Sequence, residues 1–494
     1  MSEIVTKTAR ELRRLIGLKA ISPVELLDAC IERIERINPS VNAVVALDLN
    51  RARVTAREAE QAVVRGDHLG VLHGLPVLVK DLTATEGLVT THGSLIFKDN
   101  VPTEDELIVA RIREAGGIIL GKTNTPEFGS GSNTLNRVYG ACVNPFNPRL
   151  SCAGSSGGSA VALATDMVPL ATGTDMGGSV RTPASFCGVV GHRCSPGLIP
   201  RPTRIHGWST LGVDGPLARS VDDAALLLSA TAGSDPRDPL SQSINQSLFG
   251  SLPHTDLSRL RVAFSEDLGC APVSYAMRKT FREKVKKIAP MFADTQWRDP
   301  DLGPVHETFE TLRGVEYLHA YGGYFDQQQE LLGPNVIANV TSARKITVKQ
   351  VGRAMAEQTA LLRRMGKFFD DIDILICPAT STVPYPVEEL NVSDIDGEEM
   401  ATYITWVTIA YALTLTTHPV TVITCGMGPT NMPFGLQVMG SALSDVATIG
   451  AAAAIEEALR GDAELSRPIP DIDALVSGVV ESKAGIIPTH LRSA

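Results

Sequence analysis

Residues 153–191 read AGSSGGSAVALATDMVPLATGTDMGGSVRTPASFCGVVG, and their texture decides the fold class. An alanine-rich helical stretch at 156–165 precedes the strand-like run VPLATGTD at 168–175, and a shorter apolar run, VVG, follows at 189–191. Short strands alternating with helical segments predict an α/β architecture with a largely parallel or mixed sheet. The pattern extends outward in both directions. LPVLVKD at 75–81 and GIIL at 117–120 read as strands, and 104–115 reads as a helix. Downstream, helical patterns at 273–290, 305–331 and 349–370 are followed by DILICPA at 373–379 and PVTVITCG at 419–426, two further sheet segments. Near the N-terminus, Ser22-Pro23-Val24-Glu25 supplies an N-cap, a proline at the first helical position and an acid in the first turn. That predicts an amphipathic helix ending near Asn38-Pro39. The Ala, Glu and Arg-rich stretch 51–65 predicts a second helix, lying on the surface. No repeat, low-complexity tract or linker separates these elements, so one large domain is expected over 1–494.

Composition narrows the function. Hydrophobic residues make up 44% and charged residues 20% of the 494, which describes a globular chain with a large core. A formal charge of −10 leaves no basic footprint for nucleic acid or an anionic membrane surface, so a small-molecule substrate is expected. MSEIVTKTARELRRL lacks the apolar h-region of a signal peptide, and no run of 18 apolar residues occurs; a cytoplasmic enzyme is the expectation. The eight cysteines form no CxxC pair and the ten histidines no HExxH spacing, so neither disulfides nor zinc are expected.

Two segments concentrate the chemistry. In Ala153-Gly-Ser-Ser-Gly-Gly-Ser159 and Gly173-Thr-Asp-Met-Gly-Gly-Ser179, hydroxyls sit among glycines that let a substrate approach the backbone amides. Neither segment ends in the Lys-Ser/Thr of a phosphate loop or carries GxGxxG spacing. Gly154 to Gly158 does satisfy GxSxG, which would make Ser156 a nucleophile of the α/β-hydrolase type. That reading needs a downstream acid and histidine, and His418 and His490 have no distinctive setting. A third element is Lys80, which closes the run Leu75-Pro-Val-Leu-Val79. A lysine kept dry has its ammonium form disfavoured and becomes a base that can activate a serine.

Taken together, these residues resemble the amidase-signature hydrolases along nearly the whole chain. Gly74 through Asp81, Thr90-Thr-His-Gly-Ser94, Gly121-Lys-Thr-Asn124, the serine-glycine loop, Gly173 through Gly191, Gly215 through Asp223 and Pro433 through Gly440 stand in the family's order. The resemblance implies a large mixed β-sheet core flanked by α-helices on both faces. It divides the domain into N-terminal helices (about 1–70), a catalytic core (about 71–235), a variable substrate-pocket region (about 236–410) and the C-terminal part of the core (about 411–475). It also implies a Ser–cis-Ser–Lys triad, with Ser179 as nucleophile, Ser155 as proton relay and Lys80 as base, and an oxyanion hole formed by the amides of Met176, Gly177 and Gly178. Gly129 and Ser130 fall where family members contact the acyl part of the substrate. Asp175 and Arg181 match supporting positions beside the nucleophile, whereas Ser156 and Ser159 are expected to be loop or cap residues. Tyr317, Tyr321, Tyr324, Phe325 and Trp406 are conceivable pocket lining, and an apolar or aryl amide is mildly favoured. No cofactor or metal is implied, and a homodimer is. The chain departs from the family's pattern at Cys152-Ala153 and at His192-Arg-Cys-Ser195.

The function expected is therefore hydrolysis of a small-molecule carboxamide or related C–N bond, with ester or carbamate cleavage as side activities, through an acyl-enzyme. Two alternatives stay open, the glutaminase subunit of a tRNA-dependent amidotransferase and a GxSxG esterase. A catalytically silent binding protein would leave Lys80, Ser155 and Ser179 without a purpose.

Overall fold

Eleven strands join into one mixed sheet in a computed structural model that describes residues 3–492. Met1, Ser2, Ser493 and Ala494 of the expected domain lie outside the described residues. In chain order the strands are β1 (Val44–Leu47), β2 (Pro76–Lys80), β3 (Ile118–Thr123), β4 (Leu170–Asp175), β5 (Val190–Arg193), β6 (Val213–Ala218), β7 (Arg261–Phe264), β8 (Asp294–Trp297) and β9 (Ile374–Pro378). A separate hairpin supplies β10 (Asp394–Ile395) and β11 (Glu398–Glu399), and the sheet resumes with β12 (Val420–Met427) and β13 (Pro433–Met439). Spatial order is β1-β3-β2-β4-β6-β5-β12-β13-β9-β7-β8. Strands β3, β2 and β4 run parallel, as do β9, β7 and β8, while the middle of the sheet is antiparallel. The expected mixed α/β sheet flanked by helices is the fold observed, and one apolar core extends from Val5 to Leu491.

Local chemistry accounts for the elements that frame the site. In helix Pro23–Val41, the Ser22 hydroxyl accepts from the Glu25 amide while the Glu25 carboxylate accepts from the Ser22 amide, closing a capping box. The helix passes beyond the expected stop and includes Pro39. A proline is tolerated there because the last turn is finished otherwise: Asn42 adopts a left-handed conformation, and the Asn38 side chain accepts from the amides of Ala43 and Val44. The other expected helices form at Leu49–Arg65, Leu107–Glu114, Gly157–Ala164, Tyr275–Ile288, Val305–Gln327 and Val348–Phe368.

Strand β2 is buried at every residue, as a strand packed on both faces should be, and it lies between β3 and β4. Val77 pairs with Leu170 and Leu78 with Ala171, so the carboxyl ends of β2 and β4 lie side by side. Open α/β sheets bind ligands at such ends. Here the chain places Lys80 and the Gly173–Ser179 loop there.

Candidate active site

Lys80 is the last residue of β2 and is fully buried. Its Nζ lies 2.6 Å from Ser155 Oγ, 2.9 Å from Ser156 Oγ and 2.9 Å from Thr174 Oγ1. All three partners are hydroxyls. Burial pulls the lysine pKa well below its ordinary value of 10.5, opposed by the charges of Asp175 and Asp214 and assisted by that of Arg201. A neutral amine offers two N–H donors and one lone pair, which three hydroxyls can match. The Ser156 hydroxyl also reaches the Thr174 carbonyl at 3.4 Å. Ser156 therefore occupies the N-cap position of helix Gly157–Ala164 without capping it, because its oxygen is turned to the lysine. Ser159 has the structural part expected of it, bonding the Thr172 carbonyl and the Thr123 hydroxyl.

The Gly154–Ser155 peptide is cis. Ser155 is buried, and Ser179 is half-buried at the end of the second loop. The two loops are stitched by the Ser156 amide, which donates to the Ser179 carbonyl at 3.0 Å. Lys80 and Ser155 are thus joined by a side-chain hydrogen bond, whereas Ser179 reaches them through the backbone. Among the described residues no hydrogen bond links the hydroxyls of Ser155 and Ser179.

Asp175 holds the Gly173–Ser179 loop in shape. It is fully buried, and its carboxylate accepts from Arg181 Nε and Nη2 at 3.0 and 2.9 Å, from Arg193 Nη1 at 3.1 Å, and from the amides of Gly178 and Val180, each at 3.1 Å. Burial alone would raise its pKa, but the two guanidiniums and these donors hold it well below the usual carboxylate range. Arg181 reaches further, to the Ala410 carbonyl, Thr414 Oγ1 and Gln437 Oε1. The support expected of Asp175 and Arg181 is visible in these contacts. Arg193 joins them from the segment where the chain departs from the family's pattern. Of the three expected oxyanion amides, that of Gly178 already donates to Asp175; those of Met176 and Gly177 have no partner among the described residues.

A cavity of about 50 Å³ opens beside Ser179. One wall is Gly129, Gly131, Gly154, Met176 and Gly177; the other is Phe309, Arg313, Tyr317, Tyr403, Ile404 and Val407. Gly129 has φ +69°, which strains any other residue, and a Cβ there would lie 3.3 Å from Ser155 Oγ and 2.9 Å from the end of the Leu82 side chain, so a side chain at this position would crowd the Ser155 hydroxyl. Ser130 does not itself line this cavity; its hydroxyl pairs with the OH of the lining residue Tyr317 at 2.9 Å. Among the aromatics considered from sequence, Tyr317 lines the cavity. Tyr321 stacks on Phe128, Tyr324 meets Phe97 and Phe325 lies under Arg344, all in a satellite apolar cluster. Trp406 is buried between Phe186 and Tyr385.

Phe309, Arg313 and Tyr403 went unnoticed in the sequence, and Thr174 and Arg193 stood in segments singled out there without being given a role. For Phe309 and Arg313 a signal exists, since residues 309, 313 and 317 recur every four positions on one face of a helix. The histidines and cysteines show no local ligand spacing, yet the fold brings His192, Cys194 and Asp445 within 4.8 Å of one another. There Asp445, at the start of helix Asp445–Arg460, faces the His192 ring at 3.3 Å and accepts from the Ser195 amide at 2.8 Å, tying that helix to β5.

Comparison with known proteins finds relatives along most of the chain. A family model described as Amidase matches residues 25–449. Among curated relatives, an acylamidase from Rhodococcus erythropolis is 32% identical over 457 residues, covering 91% of this chain and 94% of the relative. A glutamyl-tRNA(Gln) amidotransferase subunit from Acidothermus cellulolyticus is 32% identical over 495 residues, covering 93% and 96%. Among solved structures, a bacterial aryl acylamidase of the amidase signature family superposes with a TM-score of 0.87 at 27% identity, covering 92% of this chain and 97% of that one.

Proposed function

The chain belongs to the Amidase family, hydrolases of C–N amide bonds, and from that premise we propose that it cleaves a small-molecule carboxamide through Ser179, Ser155 and Lys80. The observation that carries the reading is the 2.6 Å contact between a buried lysine amine and Ser155 Oγ, with hydroxyls as the only side-chain hydrogen-bond partners of that amine among the described residues. Neutral Lys80 takes the Ser155 proton while Ser155 takes that of Ser179, whose oxygen attacks the carbonyl carbon. In that step the Ser155 and Ser179 hydroxyls come into contact as substrate settles, an adjustment within the range by which unliganded sites tighten. The Met176 and Gly177 amides hold the oxyanion, and that of Gly178 contributes only by sharing its bond to Asp175. Ser155 then returns the proton to the leaving nitrogen, and water, activated by the same relay, releases the acid from the acyl-enzyme.

The esterase reading through Ser156 is weaker, because that hydroxyl is fully buried on Lys80. The likeness to a glutamyl-tRNA(Gln) amidotransferase component supports a second reading, glutaminase action within a complex. Turnover of amides, anilides, carbamates and free glutamine by the purified chain, beside Ser179→Ala and Lys80→Ala, decides between them. Hydrolysis of simple amides with loss in both variants supports the first, and glutamine-only turnover with copurifying partner proteins supports the second. Full turnover in both variants sinks either.

A further inference from the structure

Helix Val305–Gln327 turns Phe309, Arg313 and Tyr317 toward the Ser179 cavity, and Arg313 is the anomaly among them. The residue is only 8% exposed. Its guanidinium lies 4.1 Å from the Tyr317 ring centroid and 5.5 Å from that of Tyr403, and it donates to Asn339 Oδ1 and the Tyr403 hydroxyl. Asn339 carries no charge, and burial raises the Tyr403 pKa and keeps its phenol protonated. No aspartate or glutamate pairs with Arg313 among the described residues. Other buried guanidiniums near the loop behave differently: Arg181 and Arg193 share Asp175, and Arg204 pairs with Asp238. An unpaired buried charge is unfavourable unless something else supplies its counter-ion.

Space for a counter-ion exists on both sides. Arg313, Tyr403 and Ile404 line the Ser179 cavity and also a second cavity of about 600 Å³. The acids bordering that outer space are engaged elsewhere, Glu307 with Arg353 and Glu310 with Thr402. We infer that the amide hydrolysed here carries a carboxylate a few atoms from the scissile carbonyl, bound by Arg313 between the faces of Tyr317 and Tyr403. The two terminal nitrogens of Arg313 donate to the neutral Asn339 and Tyr403, contacts that a carboxylate can join or replace, and a planar guanidinium recognises a carboxylate in two-point fashion. This rests on the reading of Ser179 as nucleophile.

Matched substrates test it from both sides of the bond. With the acid on the acyl side, glutaric acid mono-4-nitroanilide is compared with pentanoyl 4-nitroanilide; with the acid on the amine side, N-benzoylglycine is compared with N-propylbenzamide. In at least one pair kcat/KM should favour the acid by about tenfold or more, mainly through KM. Arg313→Met should bring that ratio to about one, and Arg313→Lys should restore part of it. Calorimetric binding of glutarate and N-benzoylglycine to Ser179→Ala, with and without Arg313→Met, reads the same contact without turnover. A neutral preference in both pairs, or a ratio unmoved in a folded Arg313→Met, overturns the inference and leaves the Ser179 chemistry standing. Absence of any hydrolysis overturns the functional reading instead, and the binding comparison then decides the carboxylate alone.

Discussion

Lys80 combines two demands, since the amine must be buried to stay unprotonated and must still touch a hydroxyl that can move a proton. In the proposed relay its active form is the free amine, so kcat/KM should fall as pH drops through its lowered pKa and hold across the alkaline side. Lys80→Ala should cost about 10²- to 10⁴-fold and remove that acid limb, which a pH-rate profile would show. Stability should move the other way. Below pH 10.5 the unfolded lysine holds a proton that the folded one resists, so the residue opposes folding there. Lys80→Met should raise the melting temperature at pH 7, with the gain shrinking as pH nears 10.5. For Asp175 the sign reverses. Its depressed pKa stabilises the fold at neutral pH, and that contribution disappears only below the usual carboxylate range. Asp175→Asn should cost about 3–5 kcal/mol in urea unfolding at pH 7, because Arg181 and Arg193 would be left buried beside a neutral amide. The resemblance to the family's motifs singled out Lys80, Ser155 and Ser179, and of these the structure joins Lys80 to Ser155 by a side-chain hydrogen bond. The roles of Ser156 and Thr174 were not legible, since they depend on how far β2 slides along β4, which a single chain does not reveal.

Elements deliver these side chains only when small residues permit close approach. Gly129 sits against Ser155, so Gly129→Ala should lower kcat by about 10- to 100-fold while leaving the fold intact, as stopped assays beside circular dichroism would record. The same crowding explains which strands were readable. Apolar runs such as β2, β9 and β12 announced themselves. Strand β6, VDGPLA, carries an aspartate, a glycine and a proline, all depleted in strands, yet it forms because Gly215 lets its backbone press on the His192 carbonyl. Strand β8, DTQW, lies at the sheet edge with mostly exposed residues and offered no apolar signal. The short helix Arg181–Cys187 is wholly buried, which erases the amphipathic period by which helices are found.

At the scale of the whole molecule, the fold class followed from alternation of strands and helices, while the pocket did not. Its walls come from segments near 129, 154, 177, 313 and 404, a convergence that no local pattern encodes. No helix among the described residues is long and apolar enough to cross a membrane. All eight cysteines are free, seven of them buried, and the partly exposed Cys270 has its thiol pushed up to about 12 by burial. Native protein at neutral pH should therefore react slowly with thiol reagents, at Cys270 first, and the remaining thiols should appear only on unfolding, as mass spectrometry of labelled protein would register.

Arg181 stands two residues past Ser179, yet its guanidinium is anchored on Ala410, Thr414 and Gln437. During synthesis, everything up to Ser179 leaves the ribosome long before those anchors exist. A polypeptide cut short between these points would therefore lack the contacts that fix the Arg181 guanidinium, and with them part of the support of the preceding loop.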